Sequence, residues 1–327
     1  MAANIFVIGS GNIGSRHVQS LGNLSSKLNI FVIDPNKENL NKTKKLFFTQ
    51  KFANRSNINI FFSHTIKKIQ DTIDLAFIAT NSDVRRKVIQ ELISKNNVKN
   101  IILEKVAFQS INDFDSINKL FEKKKIKSYL NFPRRVYRSY QNIKKKFQNE
   151  NKIYVSNIDV RLSLSSHSLH MLDLLAYLTD TNKIFVEDVL LKNEIYNSSR
   201  GSVEFAGKLK FSTERGDTLY LCDQDRDKDK KNLGVTKIES KNLSCFIYEN
   251  YQKIVQIEFD KNNFKTETFE IPFQSMLTYS IVDELLMKNK ISLTKLKDSY
   301  NHHKILLEIF TNHIHKCDLK ITGCPIS

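Results

Sequence analysis

The sequence predicts an α/β domain built on a parallel sheet, followed by an α+β domain with an open, mainly antiparallel sheet. Three observations predict it. Apolar runs of strand length alternate with helix-period segments through the first 130 residues, which is the texture of right-handed βαβ units around a sheet buried on both faces. After Pro133 that texture changes, and from about Val186 to Phe269 strand-like segments follow one another. A chain of 327 residues with a hydrophobic fraction of 40% is also long enough for two packed cores.

The first strand, Ile5–Ile8, enters the turn Gly9-Ser10-Gly11-Asn12-Ile13-Gly14, and a helix-like segment with Arg16-His17 follows. A second strand, Ile30–Ile33, ends in Asp34, 20 residues beyond Gly14. Each part has a mechanical job in a dinucleotide-binding turn. Gly9 allows the tight turn, Gly11 lets the backbone approach a pyrophosphate, and Gly14 lets helix and strand pack closely. The helix N-terminus offers unpaired N–H groups to the phosphates, and Asp34 can accept from the ribose hydroxyls. A methyltransferase also surrounds an adenosine with a glycine-rich turn and a strand-end acid, but the three-glycine spacing favours a dinucleotide. Asp34 favours NAD over NADP, because a carboxylate repels a 2′-phosphate; Lys37 is the nearby cation that softens the preference. The expected first domain is therefore an α/β Rossmann domain over 1–130.

Its remaining strands are read at Ile58–Phe62, Leu75–Ile78, Ile101–Leu103 and Ser128–Phe132, with helices such as Val84–Lys95 and Ile111–Lys124 between them. Beyond them, Tyr137–Gln148 reads as a helix, Ile153–Leu162 as a strand and Ser168–Leu178 as a helix. The antiparallel strands are expected at Val186–Leu191, Val203–Phe211, Thr218–Leu221, Thr236–Glu239, Cys245–Tyr248 and Ile254–Phe259, with a charged hairpin tip at Asp223–Asn232. Met276–Lys288 and Lys295–Ile314 close the chain as helices. The second domain, 131–327, is read as a substrate-binding and oligomerisation domain, with its C-terminal helices able to pack back on the first.

The formal net charge of +16 is spread along the chain and mixed with Asn, and no run interleaves aromatics with Arg. A solvated surface is the simplest reading, steering of an anionic ligand the next, and nucleic acid the last. Cys222, Cys245, Cys317 and Cys324 show no Cys-x-x-Cys spacing, and His302-His303 and His313-x-His315 diverge on a helix, so no metal site is expected. No apolar run approaches the roughly 20 residues that span a bilayer, and no cleavable leader opens the chain. The expectation is a soluble cytoplasmic protein.

These motifs, in this order, resemble the glucose-fructose oxidoreductase / inositol dehydrogenase / rhizopine catabolism family, Gfo/Idh/MocA. Gly9–Gly14 with Asp34 matches its cofactor turn, and Ala76-Phe77-Ile78-Ala79-Thr80-Asn81 matches the strand end that lies against the cofactor. Glu104-Lys105 matches the start of its Glu-Lys-Pro signature. Asn131-Phe132-Pro133-Arg134-Arg135 matches the exit from the Rossmann sheet, and His170-Met171-Leu172-Asp173 matches its His-x-x-Asp. The resemblance implies NAD(P)-dependent hydride transfer at a CH–OH group of a sugar, sugar nucleotide or acidic sugar, by a homodimer or homotetramer. It also implies cofactor contacts from Thr80, Asn81, Glu104 and Lys105. Two positions depart from the pattern: Val106 replaces the proline, and Ser166 stands where many members carry an Asp. The alternatives are an NAD-using epimerisation, elimination or hydrolysis, or a non-catalytic NAD-binding sensor.

Lys105 and His170 are the expected catalytic pair. Lys105 follows a strand at the carboxyl edge where open α/β sheets bind ligands, and a histidine exchanges protons near neutral pH. The plainer readings are a surface lysine and a core histidine. His167, spaced i,i+3 from His170, shares its helix face. His167, Arg135 and Asp173 are the expected substrate contacts, although Asp173 equally suits a helix-stabilising role. Arg134-Arg135 suit either an anionic group or a salt bridge between domains. Arg85 is read as reaching the nicotinamide side or as lying exposed on its helix.

Overall fold

The computed structural model describes residues 2–51, 56–159, 162–198, 201–223, 234–317, 321 and 323–326, and the chain divides into two compact units. Unit 1 comprises Met1–Phe108, Asn112–Pro133 and Pro272–Lys297; unit 2 comprises Gln109–Ile111, Arg134–Ile271 and Asp298–Ser327.

The first run of elements is β1 (Ala3–Ile8), α1 (Asn12–Leu21), β2 (Leu28–Ile33), α2 (Lys37–Phe48), β3 (Ile58–Ser63), β4 (Leu75–Ile78), α3 (Ser82–Lys95), β5 (Asn100–Leu103), α4 (Ile111–Lys123) and β6 (Lys127–Leu130). Next come α5 (Arg138–Phe147), β7 (Tyr154–Asp159), α6 (Leu164–Thr179), β8 (Ile184–Leu191), β9 (Tyr196–Asn197) and β10 (Val203–Glu204). They are followed by β11 (Gly207–Thr213), β12 (Thr218–Asp223), β13 (Val235–Glu239), β14 (Leu243–Tyr248), β15 (Lys253–Glu258) and β16 (Asn263–Thr268). The chain then returns to unit 1 for α7 (Gln274–Lys288) and β17 (Thr294–Lys295), and ends in unit 2 with α8 (Tyr300–Cys317).

Unit 1 is a seven-stranded sheet in the order β17-β6-β5-β4-β1-β2-β3. β1 to β6 pair in parallel, and β17 joins β6 antiparallel at the edge. Strands β1, β4 and β5 are buried along nearly their whole length, as a sheet covered on both faces requires. The strand order reverses between β1 and β4, and that switch point forms the crevice where open α/β sheets bind ligands. On one flank α7 packs on α1, where Ser20 Oγ accepts from the Tyr279 N–H at 2.8 Å.

Unit 2 is an eight-stranded sheet in the order β16-β15-β14-β13-β7-β12-β11-β8. It is antiparallel except for the β7–β12 pair. Leu209, Phe211, Leu219 and Leu221 are buried on one face, while the alternate residues Lys208 and Lys210 are exposed. Helix α6 packs on β12, and α8 on β8 and α6.

Three boundaries differ from the sequence reading, each for a physical reason. The strand expected over Val203–Phe211 is two strands, because Gly207 sits at φ +131 and a Cβ there would lie 2.2 Å from the Leu190 carbonyl. The helix expected from Ser168 begins at Leu164, after Ser163 in the left-handed region. In the last segment Thr294–Lys295 pairs with β6 and Leu296–Ser299 forms a 3₁₀ turn, so the helix starts at Tyr300. The charged hairpin tip lies outside the described residues apart from Asp223. Among the described residues no helix is long and apolar enough to cross a membrane.

Candidate active site

In unit 1 the glycine turn follows β1 directly, and backbone bonds from Gly9 N to Ile33 O and from Ala79 N to Ile8 O, each 2.8 Å, fix its position. Gly9 adopts φ +91, and a Cβ there would lie 2.7 Å from the Ala79 backbone. Gly14 is more confined, since its Cβ would lie 1.8 Å from the Gly9 carbonyl oxygen. Gly11 is the opposite case, with nothing within 4 Å of its Cβ position. Two glycines therefore serve the chain's own packing, and the third leaves open the side on which a pyrophosphate approaches.

Helix α1 begins at Asn12 with no side-chain cap and no acidic residue in its first turn. The N–H groups of Asn12, Ile13 and Gly14 thus remain available to an anion, with the helix dipole in its favour. Asp34 is buried at the end of β2. Its carboxylate accepts from the Ser10 N–H at 2.6 Å, the Asn36 N–H at 2.8 Å and the Asn39 amide at 3.3 Å. It braces the glycine turn. The hydroxyl oxygens of Ser10 and Thr80 are buried without a hydrogen-bond partner. Such orphaned groups at the switch point, beside the open Gly11, fit a bound dinucleotide.

The loop after β5 carries Glu104 and Lys105. Glu104 Oε1 accepts from His17 Nε2 at 2.9 Å and from the Asn131 amide at 2.7 Å. Burial pushes this carboxyl upward, but the hydrogen bonds from His17 and Asn131 outweigh it and hold the group below the usual carboxylate range. His17 is buried, stacks on Phe77 with ring centroids 4.6 Å apart, and reaches Thr278 Oγ1 at 2.8 Å. Helices α1 and α7 are thereby tied to the loop.

Arg85 is the residue that sequence reasoning placed least well. It is only 2% exposed, and its guanidinium donates to the carbonyls of Thr80, Glu104, Val106 and Ala107. Burial lowers its pKa to about 10, against the attraction of Glu104, so it stays charged at neutral pH. It is not an exposed helix residue but a clamp on the loop bearing Lys105. The Lys105–Val106 peptide is cis, and Lys105 itself is half-buried.

In unit 2, His167 and His170 lie on the first turns of α6, half-buried, with ring centroids 6.4 Å apart. Asp173 is 1% exposed and binds Arg135 in a bidentate pair, Nε to Oδ2 at 3.0 Å and Nη2 to Oδ1 at 2.7 Å. Arg135 also lies over the Tyr177 ring, 5.2 Å from its centroid. Arg134 pairs with Glu249 in the same bidentate manner, at 2.9 and 2.8 Å, and Glu249 accepts from Tyr140 at 2.5 Å. Burial raises the Glu249 carboxyl, but Arg134 and the hydrogen bonds prevail and hold it low, with His167 adding to the effect. Both arginines are therefore paired within unit 2. Nearby, His302 is fully buried, and burial with the charge of His303 and Arg135 lowers its pKa to about 3, which keeps it neutral.

Residues 3–132 match the profile of the oxidoreductase family with an NAD-binding Rossmann fold. No curated protein sequence matches the chain. Among solved structures, UDP-N-acetylglucosamine 3-dehydrogenase GnnA from Acidithiobacillus ferrooxidans is similar with a TM-score of 0.64 at 10% identity, covering 94% of this chain and 97% of that one. An oxidoreductase from Agrobacterium radiobacter, in complex with NAD+, L-tartaric acid and magnesium, gives 0.67 at 11% identity, covering 94% of each chain. A super-repressor mutant of Gal80p from Saccharomyces cerevisiae gives 0.68 at 14% identity, covering 96% of each.

Proposed function

We propose that this chain, whose residues 3–132 match the NAD-binding Gfo/Idh/MocA oxidoreductase family, is a dehydrogenase acting on a CH–OH group of a sugar, a sugar nucleotide or an acidic sugar. The observation that carries this reading is the Lys105 loop, clamped by Arg85 at the carboxyl end of the same sheet that bears the glycine turn. A charged side chain held on a fixed loop beside a cofactor crevice is suited to bind and orient a substrate hydroxyl.

Bound NAD supplies the hydride acceptor or donor. The chain's own residues do the rest. Gly11 and the α1 N-terminus take the pyrophosphate, Asp34 the adenosine ribose, and Ser10, Thr80 and Asn81 line the crevice. Lys105 is the residue assigned to the proton of the reacting hydroxyl, with His170 as the alternative for that role. His167 and Arg135 contact the substrate, and Asp173 fixes the guanidinium of Arg135. Asp34 selects NAD over NADP. The substrate class follows the family and is supported by the sugar nucleotide and the hydroxy acid named for two similar structures. The four cysteines are unpaired thiols, which suits a cytoplasmic setting.

A second reading is a cofactor-binding sensor without turnover. Ser166 in place of a carboxylate favours it, as does the fold shared with the Gal80p super-repressor. Mass spectrometry of whatever co-purifies, followed by NADH absorbance with a panel of sugars, sugar nucleotides and acidic sugars, separates the two. Net NADH formation supports the dehydrogenase; tight NAD binding with no signal from any of the panel supports the sensor.

A further inference from the structure

The edge of the unit 1 sheet carries a polar cluster that neither the glycine turn nor the Lys105 loop uses. Lys127 and Tyr129 are two residues apart on β6 and so share one face. Lys295 of β17 lies directly opposite Tyr129 in the antiparallel register, and opposed residues point to the same side. Lys297 follows in the 3₁₀ turn Leu296–Ser299. These four residues line a cavity of about 450 Å³, with Phe121 and Ile126 as its apolar wall and Glu122 as the one acid among the described lining residues. A cavity of that size lies within the range of small-molecule sites.

Tyr129 adds a directional donor to the cluster: the residue is 8% exposed and lines the cavity, and its hydroxyl is not fully buried. The C-terminal dipole of α4 accounts for lysines near its end. It does not account for lysines of β6, of β17 and of the turn after β17 gathering around one cavity with that hydroxyl. Burial raises the phenol's pKa, so the hydroxyl remains a donor. The cluster lies at the amino-terminal ends of the parallel strands, since Lys127 opens β6, whereas Gly9 and Lys105 follow the carboxyl ends of β1 and β5. The two places are at opposite edges of the same sheet.

We propose that this cavity binds a compact, phosphate-bearing small molecule, with Lys127, Lys295 and Lys297 around the phosphate oxygens and Tyr129 donating to one of them. Ammonium groups hold phosphate as point charges, and a charge-assisted hydrogen bond from the Tyr129 phenol adds direction.

The test uses the full chain with NAD at saturation, which fills the Gly11 turn, and inorganic pyrophosphate as the probe. Lysines carrying ¹³C-methyl groups keep their charge and report by NMR. A single saturable site should perturb Lys127, Lys295 and Lys297. Lys127→Ala/Lys295→Ala should weaken binding by about tenfold or more, and the near-isosteric Tyr129→Phe by about fivefold, as expected on losing charge-assisted contacts. Lys208→Ala/Lys210→Ala on β11 should leave the affinity unchanged. The proposal is overturned if pyrophosphate fails to saturate these lysine signals at millimolar concentration, if Tyr129→Phe binds as the wild type does, or if the β11 control weakens binding equally.

Discussion

His17 Nε2 lies 2.9 Å from Glu104 Oε1, and through this contact the first helix of unit 1 holds the end of β5. The pair explains why a carboxylate precedes Lys105. Glu104 faces inward to His17 and Asn131, and the loop beyond it is aimed by that anchorage and by Arg85.

Stability should therefore depend on the Glu104 charge. Its folded pKa is held below the unfolded value, so its contribution is present above the unfolded carboxylate range and lost as pH falls through the folded value. Urea unfolding should place Glu104→Gln about 1–2 kcal/mol below the wild type at pH 7. The gap should shrink as pH drops below about 4. A gap independent of pH would mean that shape, not charge, matters at this position.

Arg85 should behave as a clamp. Arg85→Ala removes the donor to several carbonyls and should cost about 3 kcal/mol or more, since unsatisfied buried acceptors are expensive. Arg85→Lys supplies fewer donors and should recover only part of that loss. Because the clamp orients Lys105, turnover of Arg85→Lys should fall further than its NAD affinity. Thermal unfolding and cofactor fluorescence together check this, and an Arg85→Lys protein with full stability and turnover would contradict it.

Substituting Asp34 should have two separable effects. Asp34→Ala should narrow the preference for NAD over NADP, because the 2′-phosphate no longer meets a carboxylate. It should also weaken NAD itself, because the Ser10 N–H loses its acceptor. Titration of cofactor fluorescence measures both. Equal affinity of the unmodified protein for the two cofactors would remove the ribose assignment.

Much of this was legible in the sequence because it is periodic. Strands β1 to β6 announce themselves as apolar runs, and the glycine spacing with Asp34 marks the turn chemically. What was illegible depends on long-range contacts. Nothing adjacent to Arg85 indicates that its guanidinium gathers carbonyls 19 to 22 residues away. His17 sits in the motif segment, yet its partners are 87 and 261 residues distant. The pairing of Arg135 with Asp173 joins two residues read separately as substrate contacts. The break at Gly207 was hidden because a positive φ leaves no mark on hydrophobic pattern.

Oligomerisation should follow from the unit 2 sheet. Helices α6 and α8 cover one face, and on the other Phe185, Leu190, Tyr154 and Phe264 are exposed. A self-complementary pairing of two such faces would bury them. Light scattering at micromolar concentration and moderate salt should give a dimer, or a tetramer built from dimers. Tyr154→Lys/Leu190→Lys should shift it toward monomer, and a wild-type mass of 38.0 kDa would refute the pairing.

The most direct test of the central claim is steady-state NADH formation by Lys105→Ala and His170→Ala, with NAD affinity and thermal midpoint measured on the same preparations. Turnover should fall by about a hundredfold or more in each, the usual scale for a general acid or base, while binding and stability change little. Full turnover in either variant would contradict the role given to that residue, and unfolding would show it to be a core residue instead.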